Sequence, residues 1–360
     1  MKNTHFDRIY LKFGNGCNLD CKYCSQGESD RHFQNAPTKG CTLNQEVIEY
    51  LDNYVKNIND PQKPTYIVLW GGEPLLYFDS IKFVVERYGK AFNYGTATNG
   101  TYLTQEIVDF FNKHGIRLAL SHDGEITKET RGIDVLKNKR IKDLYSKVEN
   151  AAFFSVITAQ NLSISKIYDF FTENSLPAID VDVFYCLNTN EKPETLKYTD
   201  FDLEKFDKEY KELIRRYEAY INGDGKYYRE YRIIDRNIKG LQYKLNNSIE
   251  KKKFFCETCG VASTGTKINI MWNGDLTACH NSNVVIGHIS NEYETVKKNR
   301  KKYDDNHAIY IDCSLCDFDQ ICKGVCAHVT EQGAKIWCNL QKIALSNLLI
   351  YLYGKNLLKK

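Results

Sequence analysis

Residues 17–24 read Cys-Asn-Leu-Asp-Cys-Lys-Tyr-Cys, so Cys17, Cys21 and Cys24 stand in the spacing C-x3-C-x2-C. Such close spacing allows three thiolates to meet at one compact centre. A structural zinc ion usually takes four ligands, so zinc here would need a distant fourth ligand, such as Cys41 or a histidine. Three thiolates suit a 4Fe–4S cluster with one iron left for another ligand. The spacing alone leaves both interpretations open.

The composition of the whole chain narrows its class. The chain has 360 residues, of which 42% are hydrophobic and 26% charged, and this length suggests two or three domains. No apolar run is long enough to cross a membrane, and the N-terminus has no signal-peptide pattern, so we expect a cytoplasmic protein without a membrane partner. A net charge of +3 predicts no nucleic-acid partner. In a reducing compartment, 13 cysteines indicate metal binding or catalysis.

Polar motifs follow predicted strands in the first half of the chain. The apolar run 65–70 predicts a buried strand and ends in Gly71-Gly72-Glu73-Pro74, where the glycines allow close backbone approach and a carboxylate can accept from an ammonium. Asn99 precedes a predicted helix at 104–114, and the strand at 118–121 opens into Ser121-His122-Asp123-Gly124. Further strands are predicted at 153–158 and 179–185. This alternation predicts parallel β/α units with the chemistry at the carboxyl ends of the strands.

The cysteine motif, with Tyr23 before its last cysteine, resembles the signature of the radical S-adenosylmethionine (radical SAM) superfamily. The resemblance implies an α/β fold, a partial (β/α)6 TIM-like barrel. It also implies that SAM binds the open iron of a 4Fe–4S cluster through its amino and carboxylate groups. An electron from the cluster then cleaves SAM to methionine and a 5′-deoxyadenosyl radical, which abstracts a hydrogen atom from the substrate.

The same resemblance implies roles for individual residues. Cys17, Cys21 and Cys24 would hold the catalytic cluster, the Gly-Gly-Glu-Pro motif would receive the SAM amino group, and Ser121 with Arg131 would contact the SAM carboxylate. The predicted cofactor-binding residues are Tyr23, Gly71, Gly72, Glu73, Pro74, Asn99, Ser121, Asp123 and Arg131. The family more often has an apolar residue at the position of His122, for which we expect a loop role.

The middle of the chain is predicted to be helical. Apolar residues at helical spacing from Phe206 to Ile221 precede a break at 222–225, and a second helix is expected at about 226–250. The basic, aromatic stretch 225–236 is interpreted as an amphipathic helix packed on the barrel rather than as an RNA contact. We therefore predict a radical SAM core at 1–190, a helical bridge at 191–253 and a cysteine-rich domain at 254–360.

The last third resembles the SPASM domain, in which auxiliary iron–sulfur clusters follow a radical SAM barrel. Its cysteine pattern runs from Cys259 through Gly274 and Cys279 to Cys338, with Cys256 as an additional thiol. The resemblance implies two further 4Fe–4S clusters, which makes three. Their ligands would be Cys256, Cys259, Cys279 and Cys326 for one cluster, and Cys313, Cys316, Cys322 and Cys338 for the other. A zinc-ribbon-like module is the alternative, and Cys41 and Cys186 stay unassigned.

Two secondary-structure predictions accompany these ligands. Residues 267–277 read as a hairpin that turns at Asn273-Gly274, which would present Cys279 beside Cys259. An apolar stripe after Cys338 predicts a C-terminal helix that docks on the core.

The resemblance implies an oxidoreductase that modifies a peptide or protein, forming a thioether or crosslink or oxidising a side chain. His280 directly follows Cys279, at the position where sulfatase-maturing enzymes have an aspartate. It is a candidate catalytic base. We expect an electron donor such as flavodoxin or ferredoxin. Because the motif begins at Cys17, we expect no N-terminal leader-recognition domain, so that substrate capture would need another surface or a separate leader-recognition protein. The alternatives are a radical SAM enzyme for a small metabolite and a non-catalytic iron–sulfur or zinc module.

Overall fold

The computed structural model describes residues 4–24, 39–174, 180–185, 200–246, 266–280, 284–307, 311–322, 324 and 329–357. Of the cysteines considered above, Cys186, Cys256, Cys259 and Cys326 lie outside the described residues.

The described strands form one nine-stranded sheet in the order β6-β5-β4-β3-β2-β1-β7-β8-β9. Every neighbouring pair from β6 to β7 is parallel, and β7, β8 and β9 are antiparallel. The predicted parallel β/α architecture is therefore confirmed. The strands are β1 (Arg8–Lys12), β2 (Tyr66–Trp70), β3 (Asn93–Thr98), β4 (Arg117–Ser121), β5 (Ala151–Ile157), β6 (Asp180–Tyr185), β7 (Lys267–Met271), β8 (Asp275–Thr277) and β9 (Val285–His288).

Helices connect the parallel strands, and side-chain caps mark where several of them begin. The hydroxyl of Thr104 accepts from the backbone N–H of Ile107 at the start of the predicted helix, which is confirmed. The helices are α1 (Gln45–Asn57), α2 (Phe78–Tyr88), α3 (Gln105–Lys113), α4 (Thr127–Arg131), α5 (Lys139–Tyr145), α6 (Ile164–Glu173), α7 (Leu203–Ile221), α8 (Tyr228–Asn246), α9 (Tyr293–His307) and α10 (Glu331–Gly354).

Alternation along the strands separates the core from an interior cavity. In β2, Ile67 and Leu69 are fully buried in the hydrophobic core, whereas Tyr66, Val68 and Trp70 line the cavity. This two-residue period is that of a pleated strand with one face on the core. The same strand therefore builds the core with one face and the cavity wall with the other.

The predicted hairpin at 267–277 is confirmed, and Gly274 makes its turn with a positive φ of 93°. Its first strand, β7, also pairs in parallel with β1 along five residue pairs, from Arg8 opposite Lys267 to Lys12 opposite Met271. The C-terminal cysteine region thus belongs to the same sheet as β1, the described strand nearest the N-terminus.

The two predicted middle helices are confirmed as α7 and α8, and α7 ends at Ile221, just before the predicted break. The predicted C-terminal helix is confirmed as α10, which packs on α7 and buries Leu340, Leu348 and Leu352. Helix α10 begins at Glu331, ahead of Cys338, so that cysteine lies inside the helix. Within the described residues, no helix combines the length and hydrophobicity that a membrane span needs.

Candidate functional site

A cavity of about 1760 Å³ lies within the curve of the sheet and is bounded by α8 and α10 on the other side. It collects most of the predicted site residues, which lie at or after the carboxyl ends of five strands, β1 to β4 and β8. Those that border it are Cys17, Cys21, Tyr23, Cys24, Gly71, Gly72, Glu73, Asn99, Ser121, Arg131, Cys279 and His280. Pro74 and Asp123 are buried and are not among these lining residues.

The three N-terminal thiols face this cavity together. Burial raises the pKa of Cys21 to about 12; Arg131 opposes this rise, whereas the neighbouring thiols Cys24 and Cys17 add to it. The backbone N–H of Cys24 donates to the carbonyl of Cys21 at 3.0 Å, which closes a tight turn between them. The amide nitrogen of Asn99 lies 3.9 Å from the Cys17 sulfur and can donate to it.

The Gly-Gly-Glu segment presses against the backbone of the cysteine loop. The N–H of Gly72 donates to the carbonyl of Gly14 at 3.1 Å, and the N–H of Glu73 donates to the carbonyl of Gly16 at 2.7 Å. A Cβ atom on Gly72 would overlap the carbonyl oxygens of Asn15 and Gly16. The glycine is therefore needed for contact between two backbone segments, in addition to the predicted approach to a cofactor.

The Glu73 carboxylate is almost completely buried at the end of β2. One oxygen accepts from the hydroxyl of Thr98 at 2.6 Å and from the N–H of Leu75 at 3.0 Å, and the other accepts from the N–H of Asn99 at 2.8 Å. Burial raises the pKa of Glu73, and these three donors oppose that rise. A carboxylate oxygen accepts more than one hydrogen bond, so the Asn99-bound oxygen keeps capacity for an ammonium group in the cavity.

Asp123 joins the cysteine loop to Arg131. It accepts from the phenol of Tyr23 at 2.6 Å and from the hydroxyl of Thr130 at 2.7 Å, and Arg131 donates to both of its oxygens. The backbone N–H of Val156 donates to it as well, at 2.9 Å. Asp123 therefore holds Arg131 at the cavity wall from behind.

His122 is fully buried, whereas we expected a loop histidine. One ring nitrogen lies 3.0 Å from a carboxylate oxygen of Asp134, and the other accepts from the N–H of Gly124 at 3.2 Å. Its ring also stacks on Phe170, with centroids 5.1 Å apart. These contacts fix the turn that carries Asp123.

His280 borders the same cavity from the C-terminal part of the chain. Its ring stacks on Tyr10 with centroids 4.4 Å apart and an interplanar angle of 8°, and it meets the edge of Trp70 at 5.2 Å. The indole N–H of Trp70 donates to the His280 carbonyl at 3.1 Å, and the Cys279 sulfur lies 3.8 Å from a His280 ring nitrogen. The contacts with Tyr10 and Trp70 fix the His280 ring. The catalytic role of His280 stays a prediction.

Four of the C-terminal cysteines form a second group of thiols. Burial raises the pKa of Cys313, and the nearby thiols Cys338, Cys316 and Cys322 raise it further. The N–H of Cys316 donates to the carbonyl of Cys313 at 3.1 Å in a tight turn. These are the four residues predicted to share one auxiliary cluster. Of the other predicted set, only Cys279 is among the described residues.

The donor chemistry of both groups fits iron–sulfur clusters. Among the described residues, no three histidine, cysteine or carboxylate side chains converge closely enough to hold a single metal ion. Each cysteine of a 4Fe–4S cluster binds a different iron, so its ligands lie farther apart than those of one ion. Cys17, Cys21 and Cys24 would hold such a cluster at the cavity wall.

Several residues of the site were not anticipated from the sequence. Tyr10 and Trp70 form the aromatic wall, and the two-residue alternation of β1 and β2 was a signal that could have placed them on the inner face. Tyr77, whose hydroxyl accepts from the N–H of Gly16 at 2.9 Å, and Thr98 carried no such signal.

Comparisons with known proteins identify the first part of the chain. Residues 11–151 match the model of the radical SAM superfamily. The radical SAM cyclopropyl synthase TigE of Paramaledivibacter caminithermalis is 26% identical over 369 residues, which cover 95% of this chain and 73% of TigE.

Solved structures show the same fold over almost the whole chain. Native anSMEcpe with bound AdoMet superposes with a TM-score of 0.67 at 19% identity, covering 96% of this chain and 99% of that one. Streptococcus suis SuiB bound to its precursor peptide SuiA superposes with a TM-score of 0.57 at 20% identity, covering 89% of this chain and 72% of that one. The chain therefore carries a radical SAM domain at residues 11–151, and over almost its whole length it is similar to the radical SAM cyclopropyl synthase TigE.

Proposed function

We propose that the protein cleaves S-adenosylmethionine reductively and abstracts a hydrogen atom from a peptide or protein substrate, as a step in its post-translational modification. The observation that carries this proposal is that Cys17, Cys21 and Cys24 share one cavity with Glu73 and Arg131. When bound, a 4Fe–4S cluster and SAM supply the electron and the radical for the reaction.

The residues around the cavity have separate tasks in this proposal. Glu73 is positioned to accept from the SAM amino group, because its Asn99-bound oxygen keeps acceptor capacity. Arg131 uses two of its N–H groups on Asp123, and the other donors can hold the SAM carboxylate together with Ser121. Tyr23 keeps its proton because burial raises its pKa well above the usual range, so it continues to donate to Asp123.

A peptide or protein substrate is favoured over a small metabolite. SuiB, a structural neighbour, has been solved with a precursor peptide, and the cavity volume of about 1760 Å³ exceeds that of ordinary small-molecule pockets. We further propose two auxiliary 4Fe–4S clusters, one on Cys313, Cys316, Cys322 and Cys338 and one on Cys256, Cys259, Cys279 and Cys326.

Anaerobic reconstitution tests the cluster assignment. Three clusters predict about twelve iron atoms per chain, four for each cluster. The triple substitution Cys17→Ala, Cys21→Ala and Cys24→Ala should lower this to about eight and abolish 5′-deoxyadenosine formation from SAM under a reductant. Cys41→Ala is the matched control and should change neither quantity. Continued formation of 5′-deoxyadenosine by the triple variant would overturn the proposal.

The substrate class needs a separate experiment. Co-expression with short peptides encoded beside the gene should yield a peptide whose mass changes only when the cysteine triplet is intact. If SAM is cleaved but a small metabolite is consumed in place of any peptide, the substrate part of the proposal is wrong.

A further inference from the structure

We propose that the cavity-facing side of α8 docks an acidic segment of the peptide substrate, with Arg236 and Lys244 as the cations that contact its acidic side chains and Gly240 as the point of closest approach. This inference rests on the proposed function, because it names the chemistry of the peptide that the same cavity receives.

One face of α8 lines the cavity. Ile233, Arg236, Gly240 and Lys244 recur at three- and four-residue intervals along the helix, and all four border the cavity. Residues at this spacing share one side of an α-helix. Ile234 and Leu241 also border the cavity, whereas Ile238 is buried in the core and anchors the helix from another side. The helix thus presents both charged and apolar side chains to the cavity.

Gly240 is unusual on this face. It lies well inside a helix of 19 residues, where glycine is less favourable than alanine. A Cβ atom built on it would meet no heavy atom within 4 Å, and its φ is not positive, so neither packing nor backbone conformation requires glycine there. The bare backbone leaves room for another chain to approach the helix closely.

The charges that border the cavity favour an anionic segment. Further cations line it at the amino ends of the strands, at Arg8, Arg117 and Lys267. Among the described lining residues, the one carboxylate is Glu73, which already accepts three hydrogen bonds. A cavity lined mainly by one sign of charge attracts ligands of the opposite sign.

The geometry of the two α8 cations predicts a spacing in the substrate. Arg236 is exposed, and the Lys244 ammonium donates to the Cys322 carbonyl at 3.2 Å, which holds its charge at the cavity wall. The two residues lie about 12 Å apart along the helix axis. That distance matches roughly four residues of extended peptide, so acidic side chains should recur at that interval.

Peptide binding to the anaerobically reconstituted holoenzyme tests the inference. Two biotinylated peptides composed otherwise of Gly, Ser and Thr are immobilised. One carries pairs of Asp residues separated by the predicted interval, and the other carries Asn at the same positions. The wild-type protein should bind the Asp peptide about fivefold more tightly, and added salt should reduce the difference. Equal binding of the two peptides would overturn the inference.

Substitutions in α8 locate the contact. Arg236→Gln with Lys244→Gln should remove most of the preference for Asp while iron content stays at the wild-type value. Lys239→Gln, on an exposed lysine outside the cavity lining, is the matched control and should keep the preference. If the double variant loses iron instead, the cations serve to balance the clusters and the inference is wrong.

Gly240→Ala should stabilise the protein but weaken peptide binding. The midpoint of thermal unfolding should rise by about 2 °C, because alanine favours the helix, while both peptides bind several-fold more weakly. Unchanged peptide affinity in a folded Gly240→Ala protein would contradict close approach at this site. If this variant does not fold, the double variant decides alone.

Formation of 5′-deoxyadenosine in the same wild-type preparations separates the two proposals. A preparation that cleaves SAM but binds both peptides equally overturns the docking face only. A preparation that prefers the Asp peptide but never cleaves SAM overturns the proposed function and leaves the docking face.

Discussion

Arg131 and Asp123 form a buried two-point ion pair, with Nε 2.9 Å from one carboxylate oxygen and Nη2 3.1 Å from the other. The guanidinium carbon also lies 5.4 Å from the centroid of the Tyr23 ring. The pair therefore links the cysteine loop to α4, and several measurements can test the network around it.

Asp123→Asn should destabilise the fold by about 3 kcal/mol, because it leaves the Arg131 charge buried without its counter-charge. Urea unfolding measures this. The pair of Asp52 and Arg87 has the same two-point geometry, but its side chains are 40% and 44% exposed. Asp52→Asn is thus the matched control and should cost less than about 1 kcal/mol. Equal losses in the two variants would contradict a special role for burial.

Gly72→Ala should prevent the cysteine loop from packing against the end of β2. The added Cβ would overlap backbone atoms, which cannot move aside by a change of rotamer as a side chain could. We expect the N-terminal cluster, about four iron atoms, to be lost on reconstitution while the auxiliary iron stays bound. Gly225→Ala, where a Cβ meets nothing within 4 Å, should retain all of the iron. Full iron loading of Gly72→Ala would refute this account.

Asn99→Leu should lower the reduction potential of the N-terminal cluster. It removes the amide donor that lies 3.9 Å from the Cys17 sulfur but keeps the backbone bond to Glu73. A donor to a cluster sulfur stabilises the more negative, reduced state, so its loss makes reduction harder. A redox titration followed by electron paramagnetic resonance gives the potential, and the auxiliary clusters serve as internal controls. An unchanged potential would show that the contact has no electronic effect.

His114→Phe should flatten part of the pH dependence of stability. Burial lowers the pKa of His114 below its ordinary value of 6.5; Lys113 lowers it further, and Glu86 opposes this. The unfolded state then binds more protons than the folded state just below pH 6.5, so this histidine's contribution to stability is complete above that pH. This contribution is lost as the pH falls through the lowered pKa that His114 has in the folded state.

Phenylalanine keeps the ring contact with Phe110, whose centroid lies 4.5 Å from that of His114. Urea midpoints for both proteins between about pH 5 and neutrality give the comparison. The difference between variant and wild type should shift in favour of the variant as the pH falls. A constant difference across this range would show that His114 does not contribute.

Local sequence signals predicted the parallel strands and the loops that follow them. The Gly-Gly-Glu-Pro motif was placed correctly because an apolar run and a glycine pair are both visible within a few residues. Cys17 and Glu73 were likewise brought to one cavity by the rule that parallel strands carry their sites at their carboxyl ends. Where each domain begins and ends stays a prediction.

Non-local relationships were beyond the sequence. The alternation in β7 predicts a strand but does not name β1 as its partner, because strand pairing depends on packing elsewhere in the chain. Similarly, α8 was interpreted as an amphipathic helix. Its polar residues could not be divided into those facing solvent and those facing a cavity before the position of α10 was known.

The pairing of β7 with β1 has a consequence for how the chain folds. During synthesis, β1 emerges long before its neighbour at Lys267–Met271 is made. Until then, one edge of β1 stays unpaired, which is a recognised route to aggregation. Contacts this distant in sequence also slow folding. We therefore expect truncated chains that end before β7 to be poorly soluble, and chaperones to matter most while the ribosome completes the middle helices.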